Sequence, residues 1–290
     1  MFLCADKKVV TVGNGPPMEE CNHEEADTRV LVHLLHAVGN SSTVMIMTGD
    51  TDVIVILLSN FHQIMGVNSE AEIWVSFHSG KTSRLIHLNS LAHTLGETTC
   101  KSLALFHSFT GCDSTSSIKY KGKRICYKTF LKESSVVEQF SQIIRSPFQT
   151  TTSLIQAAQR FVCLLYDKDY PSNGCNDVDM VRFEAFCRRT KDVERIPPTN
   201  DALMLHLKRS VYQASIWALA YQPQIPAENP EQHGWMIEDN KLVPVWKTLP
   251  LAKDVFNLEV KCTCSGVCSS CKCIKTKLKC TRMCKCKCTI

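Results

Sequence analysis

The chain has 290 residues, a formal net charge of +5 and 44% hydrophobic residues, which is ordinary for a globular protein with a buried core. No apolar run approaches the roughly 20 residues that a membrane-spanning helix needs. The first eight residues meet charge too early for a secretory signal. The composition therefore excludes an integral membrane protein and favours an intracellular chain.

Cysteine and positive charge are both concentrated at the C-terminus. Nine of the 17 cysteines lie between residues 262 and 288. Residues 261–290 also contain eight Lys and Arg residues and no acid, so the remainder of the chain is slightly acidic. In an intracellular protein, a dense local cysteine cluster indicates metal binding more often than disulfides. A basic tail on an acidic body is typical of a nucleic-acid-binding appendage.

In chain order, the first part alternates predicted helices and strands. Hydrophobic spacing predicts a helix capped by Asn22 that runs to about Ala37 and is stopped by Gly39. Further strands are expected at 44–47, 73–77 and 84–88, the last two around a turn at 79–81, and further helices at 98–109 and 125–132. Residues 52–65 are expected to form a helix or to continue the strand. This order predicts an α/β domain over residues 1–135 with a parallel sheet and flanking helices.

The remaining chain divides into a helical region, a linker and the tail. Residues 136–221 are predicted to be helical in four segments, 136–145, 152–166, 178–188 and 199–221. Five prolines and little periodicity predict an extended linker over residues 222–260, anchored by Trp235 and Trp246. Residues 261–290 form the cysteine-rich tail.

The first domain is expected to be organised around the stretch VMIMTGDTDVIVILL at residues 44–58. Its apolar, β-branched runs favour a central strand that is covered on both faces and ends at a loop bearing Asp50 and Asp52. Open α/β sheets hold their chemistry at such strand ends. Turn or helix-cap roles explain the two acids equally well, so both interpretations stay open.

The tail spacing predicts a shared metal cluster. Its C-x-C pairs place thiolates too close together for separate tetrahedral sites, and each zinc ion takes about four ligands. Nine cysteines can supply the roughly twelve ligand positions of three zinc ions if three of the thiolates bridge two ions each. The segment has almost no large apolar side chain, so the metal would provide its folding energy. The ligands are Cys262, Cys264, Cys268, Cys271, Cys273, Cys280, Cys284, Cys286 and Cys288.

This spacing resembles the tesmin-like CXC domain, a three-zinc, nine-cysteine module of nuclear DNA-binding proteins. The family usually carries two repeats, with a tyrosine just before the second C-x-C pair. Here there is one repeat, and Ser270 occupies the tyrosine position. The resemblance therefore implies contacts to DNA phosphates more than base-specific binding. The expected phosphate-binding residues are Lys272, Lys275, Lys277, Lys279 and Arg282.

Three acidic motifs resemble the second half of a flap-endonuclease-like PIN domain, in family order. Residues 25–27 match an E-A-E segment, residues 50–52 a D-x-D segment, and residues 111–113 a G-x-D segment. The resemblance implies that five catalytic carboxylates bind Mg²⁺ or Mn²⁺, and that a following hairpin turn holds a DNA backbone. The carboxylates are Glu25, Asp27, Asp50, Asp52 and Asp113, and the hairpin residues are Gly122, Lys123 and Arg124.

Two departures weaken the expected nuclease activity. The family carries further acids before the E-A-E segment, whereas the 24 residues before Glu25 contain Asp6 as their one aspartate. The first glycine of the hairpin turn is replaced by Tyr120. A degenerate site in a truncated copy is therefore expected.

The motifs NHEEADTR, TGDTDVIVILL, FHSFTGCDSTS and IPPTNDALMLHLKRSVYQA, with the CXC tail, together resemble a family of transposon-derived animal proteins. The leading hypothesis is a nuclear, zinc-binding, DNA-associated protein with a partial PIN-like α/β domain. One alternative is an active Mg²⁺-dependent, structure-specific DNA endonuclease or exonuclease. The other is a chromatin or protein-interaction scaffold with a structural zinc cluster. Protein partners stay undetermined from sequence.

Overall fold

The computed structural model describes residues 2–5, 8–11, 19–79, 82–168, 176–187, 195–249, 262–275, 280 and 284–288. The described strands are β1 Phe2–Ala5, β2 Lys8–Thr11, β3 Thr43–Thr48, β4 Glu72–Ser79, β5 Thr82–His87, β6 Trp235–Glu238 and β7 Lys241–Pro244. The first helices are α1 Ala26–Val38, α2 Thr51–Ser59, α3 Phe61–Val67, α4 Leu88–Leu95, α5 Glu97–Phe109 and α6 Lys123–Phe130. The later helices are α7 Ser134–Ser141, α8 Thr152–Tyr166, α9 Val178–Cys187, α10 Asn200–Ala218 and α11 Lys272–Lys275.

The principal sheet has three strands in the order β3-β4-β5. Strand β4 pairs with β3 in parallel, with Ile46 opposite Val75, and with β5 in antiparallel fashion, with Val75 opposite Ile86. The chain is therefore a mixed α/β structure, as expected, but the predicted parallel sheet is wrong for the β4–β5 pair. The short connection between β4 and β5 explains the difference, because a parallel neighbour would need a long crossover.

The stretch at residues 44–58 divides into a strand and a helix. Its first half is β3, which lies at the edge of the described sheet and leaves Met45 and Met47 56% and 73% exposed. Its second half is helix α2, in which Val53, Ile56 and Leu57 are buried. The expectation of a central strand covered on both faces is therefore wrong. A six-residue apolar run fits a buried helix as well as a strand, and contacts elsewhere in the fold decide between them.

One hydrophobic core extends from Leu31 to Ala220 and includes both the predicted α/β region and the helical region. At its centre, neighbouring phenylalanine rings have centroids 5.4–6.2 Å apart. Each fully buried phenylalanine contributes roughly 2–3 kcal/mol to folding. These residues are Phe109, Phe130, Phe140 and Phe161.

Helix α10 is held to the first region by buried hydrogen bonds as well as by apolar packing. The Ser108 hydroxyl donates to the Ser210 carbonyl over 2.9 Å, and the Asn60 amide donates to the Trp217 carbonyl over 2.9 Å. Leu203, Leu207 and Trp217 are buried along this helix, and other buried residues occupy its remaining faces, so α10 is enclosed rather than amphipathic. Helix α10 therefore forms one wall of the site described below.

Asn22, just before α1, is hydrogen-bonded to the segment that follows α10. Its side-chain nitrogen donates to the Ile225 carbonyl over 2.9 Å, and its side-chain oxygen accepts from the Ile225 amide over 2.8 Å. The N-cap of α1 is Glu25 and not the predicted Asn22. The stretch predicted as an extended segment contains a 3-10 turn at Pro230–His233 and the β6–β7 hairpin. None of the helices that the structure describes could cross a membrane.

Candidate functional site

The predicted carboxylates converge from three separate elements. Glu25 is the N-cap of α1, and Asp27 lies in its first turn. Asp50 is the N-cap of α2, where its Oδ1 accepts a hydrogen bond from the Asp52 amide over 2.9 Å. Asp113 lies in the loop after α5. Asp50 is thus a helix cap, as one interpretation proposed, and it also belongs to an acidic cluster.

Electrostatics show that these acids are close enough to interact. Partial burial raises the pKa of Glu25, and the negative charges of Asp27, Asp52 and Asp113 raise it further, while the Trp217 side chain opposes the shift. Partial burial also raises the pKa of Asp27, with additional repulsion from Asp50, Asp52 and Asp113. The cluster therefore gathers negative charge where solvent screens it incompletely.

Two further side chains border the acids: His107, which sequence reasoning left unassigned, and Lys123, which it assigned to the DNA-binding turn. Nε2 of His107 lies 2.8 Å from Oδ1 of Asp52, and both side chains are largely buried. The ammonium group of Lys123 donates a hydrogen bond to the His107 carbonyl over 3.1 Å. Burial lowers the pKa of Lys123, an effect that the charges of Cys112 and Asp52 oppose. His107 belongs to the quoted motif FHSFTGCDSTS, but its spacing alone carries no sign of this contact.

Two glycines allow close contacts with the backbone in the loops that bear Asp50 and Asp113. A Cβ on Gly49 would lie 3.0 Å from the His78 carbonyl, at the end of β4. Gly111 has φ of +110°, and a Cβ there would lie 2.6 Å from the Cα of Ser117. A side chain at position 111 would therefore both strain the backbone and displace the loop that bears Asp113.

The predicted DNA-binding turn keeps part of the expected geometry. Tyr120, at the position where the resemblance expects glycine, has φ of +60°, in the left-handed region that glycine favours. Gly122 caps α6, and Arg124 is exposed at its first turn. Lys123 instead directs its ammonium group toward the acidic cluster. Its role in binding DNA stays a prediction.

The tail brings its thiols into three overlapping groups of four. Within each group the sulfur atoms lie within 4.8 Å of one another, and among the described residues all such groups of potential metal ligands are in the tail. The carboxylates of the body are therefore more widely spread than these thiols. The groups are Cys262, Cys268, Cys280 and Cys286; Cys262, Cys264, Cys268 and Cys271; and Cys262, Cys273, Cys280 and Cys284.

The sulfur distances fit a tetrahedral thiolate site better than disulfides. Cys262 and Cys268 are 3.4 Å apart, Cys273 and Cys284 are 3.6 Å apart, and Cys268 and Cys280 are 3.8 Å apart. A tetrahedron with zinc–sulfur bonds of about 2.3 Å has edges of about 3.8 Å, whereas a disulfide bond is about 2.0 Å long. The donor set therefore suits zinc.

Burial and backbone hydrogen bonds shift the pKa values of the tail thiols in opposite directions. Burial raises the pKa of Cys262 to about 12 and also raises the pKa of Cys268 and Cys280. A hydrogen bond from the backbone lowers the pKa of Cys286 to about 6, and the same effect lowers that of Cys271 to about 7. Metal binding must displace protons from the first three thiols, so metal affinity should fall with falling pH.

The structure describes some of the other predicted tail residues and not others. Cys288 lies outside the three groups, but its sulfur accepts a hydrogen bond from the Cys268 amide over 3.2 Å. Lys275 is exposed, and the backbone of Lys272 lies in α11. Lys277, Lys279 and Arg282 lie outside the described residues.

The chain matches no family model, no curated protein and no solved structure.

Proposed function

We propose that this is a zinc-binding, DNA-associated protein whose tail folds around a three-zinc cluster. One observation carries the proposal: eight of the nine tail cysteines fall into three groups of four closely spaced thiols. Each group meets the ligand number and spacing of one zinc ion. Three such groups agree with the stoichiometry expected from the cysteine spacing.

The overlap of the groups assigns the bridging thiolates. Cys262 occurs in three groups, and Cys268 and Cys280 occur in two each. A bridging thiolate in this kind of cluster binds two ions, so Cys262 can serve two of its three groups and the third needs another ligand. Cys288, which contacts the Cys268 backbone, completes the third group in its place. In this arrangement Cys262, Cys268 and Cys280 each join two zinc ions, and the other six thiolates each bind one.

Charge supports association with nucleic acid. The tail has eight cationic side chains and no acid, and those at Lys275, Lys285 and Lys287 are exposed. Exposed Lys side chains contact phosphates without reading sequence. Nuclear location and a mobile-element origin belong to the same proposal and follow from the motif resemblance.

We expect DNA binding by the zinc-loaded chain to weaken steeply with salt, because each phosphate contact releases counterions. The double substitution Lys285→Gln/Lys287→Gln should lower the slope of log K against log salt by about 2, since each contact contributes about 0.9. Fluorescence anisotropy with a labelled duplex between 50 and 200 mM salt measures this.

The matched control is Lys128→Gln/Lys208→Gln, which removes two exposed charges from the body. It should leave the slope unchanged. Weak, salt-independent binding by all three proteins would instead favour the scaffold alternative.

A second candidate function, a Mg²⁺- or Mn²⁺-dependent nuclease, is favoured by the convergence of the five acids. Carboxylate oxygens are the ligands that these ions prefer. Partial burial and then repulsion between the acids raise the pKa values of Glu25 and Asp27, and a bound dication would offset both effects. His107 would orient Asp52 through its 2.8 Å contact. Cleavage of flap or hairpin DNA is the reaction to assay.

Asp27→Asn should raise the melting temperature by about 1–3 °C without added Mg²⁺ or Mn²⁺, because it removes a repelled charge that solvent screens in part. Mn²⁺ should stabilise the original chain more than the variant. The repulsion is complete above the raised pKa and is lost as pH falls through it, so the difference between the two proteins should shrink toward pH 4.

Exposed Glu70→Gln, far in sequence from the cluster, is the control and should shift the melting temperature little. If Mn²⁺ stabilises the original chain and Asp27→Asn equally, and no cleavage of flap DNA occurs, the acids do not form a working metal site.

A further inference from the structure

A cavity of about 290 Å³ lies between the first half of α10, helices α8 and α9, and the loop that follows Asp113. Aromatic side chains form much of its wall, among them Phe109, Tyr166 and Trp246. None of the five predicted carboxylates and none of the tail cysteines lines it. The cavity is therefore separate from both sites already described.

The most unusual wall residue is Arg209, which is 5% exposed. Its Nη1 donates hydrogen bonds to the carbonyls of Gly234, over 3.0 Å, and Val245, over 2.8 Å. Its guanidinium carbon lies 5.9 Å from the ring centre of Trp235 and 5.7 Å from that of Trp246. Within the described part of the chain, no carboxylate forms an ion pair with it. A buried cation without an anion is costly.

The other charged side chains of the wall are also cationic. They are Lys119 and Arg182, and among the described residues no acidic side chain lines the cavity. The Arg182 guanidinium also donates a hydrogen bond to the Pro197 carbonyl, just before α10 begins. The positive end of the α10 dipole lies at this wall, near Ala202. The cavity is therefore positive, and an anion is the ligand that it would stabilise.

His206 supplies an acceptor beside the cations. Its Nε2 lies 2.8 Å from the Phe109 carbonyl, which can only accept, so this nitrogen carries hydrogen. Burial lowers the pKa of His206, which keeps the ring neutral and leaves Nδ1 as an acceptor. Leu203, His206 and Arg209 recur at three-residue spacing on one face of α10, which explains their common position.

We propose that this cavity binds a small organic anion with a flat aromatic ring, of the class of a nucleoside monophosphate. The anionic group would pair with the guanidinium of Arg209, supported by Lys119 and Arg182. The ring would lie against Trp246 and Tyr166. This proposal does not depend on the zinc cluster or on the acidic cluster.

Binding of adenosine monophosphate to the zinc-loaded chain tests the proposal. Isothermal titration calorimetry and quenching of tryptophan fluorescence should both detect it, because Trp246 is in the wall. Adenosine and inorganic phosphate, each lacking half of the ligand, should bind more weakly than the nucleotide. Competition by a 5′-phosphorylated DNA strand tests whether the cavity accepts a strand end as well as a free nucleotide, because both carry the phosphate and the aromatic base of the proposed ligand.

Arg209 also holds the β6–β7 hairpin, so its substitution could disturb folding. Lys119→Gln and Trp246→Leu avoid this problem, because both side chains line the cavity but are largely exposed to solvent, Trp246 to 64%. Each substitution should weaken nucleotide binding roughly tenfold, the effect of losing one charge-assisted or stacking contact. Lys208→Gln, an exposed neighbour of Arg209 on α10, should leave affinity unchanged.

Absence of binding at millimolar nucleotide would overturn the proposal and would leave Arg209 as a structural clamp for the hairpin. Affinity that is equal for adenosine and adenosine monophosphate would also overturn it, because the cations would then contribute nothing. The same conclusion follows if Lys119→Gln and Trp246→Leu bind the nucleotide as tightly as the original chain.

Discussion

Purified from zinc-containing medium, the 290-residue chain should contain about three zinc ions per molecule, and Cys262→Ser, which removes a bridging thiolate, should lose more zinc than substitution of a thiolate that binds one ion. Cys262 belongs to all three thiol groups, whereas Cys264 belongs to one. Cys264→Ser should therefore lose about one ion or less. Elemental mass spectrometry, with zinc, magnesium and manganese counted separately, measures both values.

The control is Cys21→Ser, in the body, which should retain all the zinc. Chelation should unfold the tail while leaving the body folded, because the tail cysteines form a cluster separate from the main core. A chain that contains less than one zinc ion, or equal losses in Cys262→Ser and Cys21→Ser, would contradict the cluster.

Gly111→Ala should destabilise the body by about 2–4 kcal/mol. The φ of +110° is a conformation that side chains strongly disfavour, and the added Cβ would lie 2.6 Å from the backbone of Ser117. Backbone atoms cannot move aside as a flexible side chain can, so the loop bearing Asp113 must shift. Urea denaturation followed by circular dichroism measures the change in the free energy of unfolding.

Gly66→Ala is the matched control because it also adds one methyl group. Gly66 lies in α3, and a Cβ there would have no neighbour within 4 Å. Alanine is the better helix former, so this variant should be unchanged or more stable by up to about 1 kcal/mol. A Gly111→Ala protein as stable as Gly66→Ala would show that the loop tolerates a side chain.

Several elements were predictable because their signals are local. The spacing of apolar residues located α5, α8 and α10 within a few residues of their observed ends. The C-x-C spacing located the potential metal ligands of the tail without knowledge of the fold, because cysteines so near in sequence must be near in space.

Other features were not predictable because they depend on contacts between distant segments. Helix α2 was predicted as a possible strand, since its apolar run alone fits both structures. His107 and Lys123 border the acidic cluster because α5 packs against α2, and because the Lys123 ammonium group reaches the His107 carbonyl of α5. The burial of Arg209, which forms no ion pair with the described residues, could not be distinguished in sequence from the exposure of an ordinary solvated helix residue.

The amino-acid sequence by itself determined the helical periodicity, the basic charge of the tail and the clustering of its nine cysteines, since each depends on residues that are neighbours along the chain. The tertiary structure decided that Glu25, Asp27, Asp50, Asp52 and Asp113 converge, and that Arg209 lines a cavity to which none of the described residues contributes an acid. The physical reason is that these charged side chains come from segments distant in sequence, so folding alone brings them within range of one another, where partial burial weakens the screening by water.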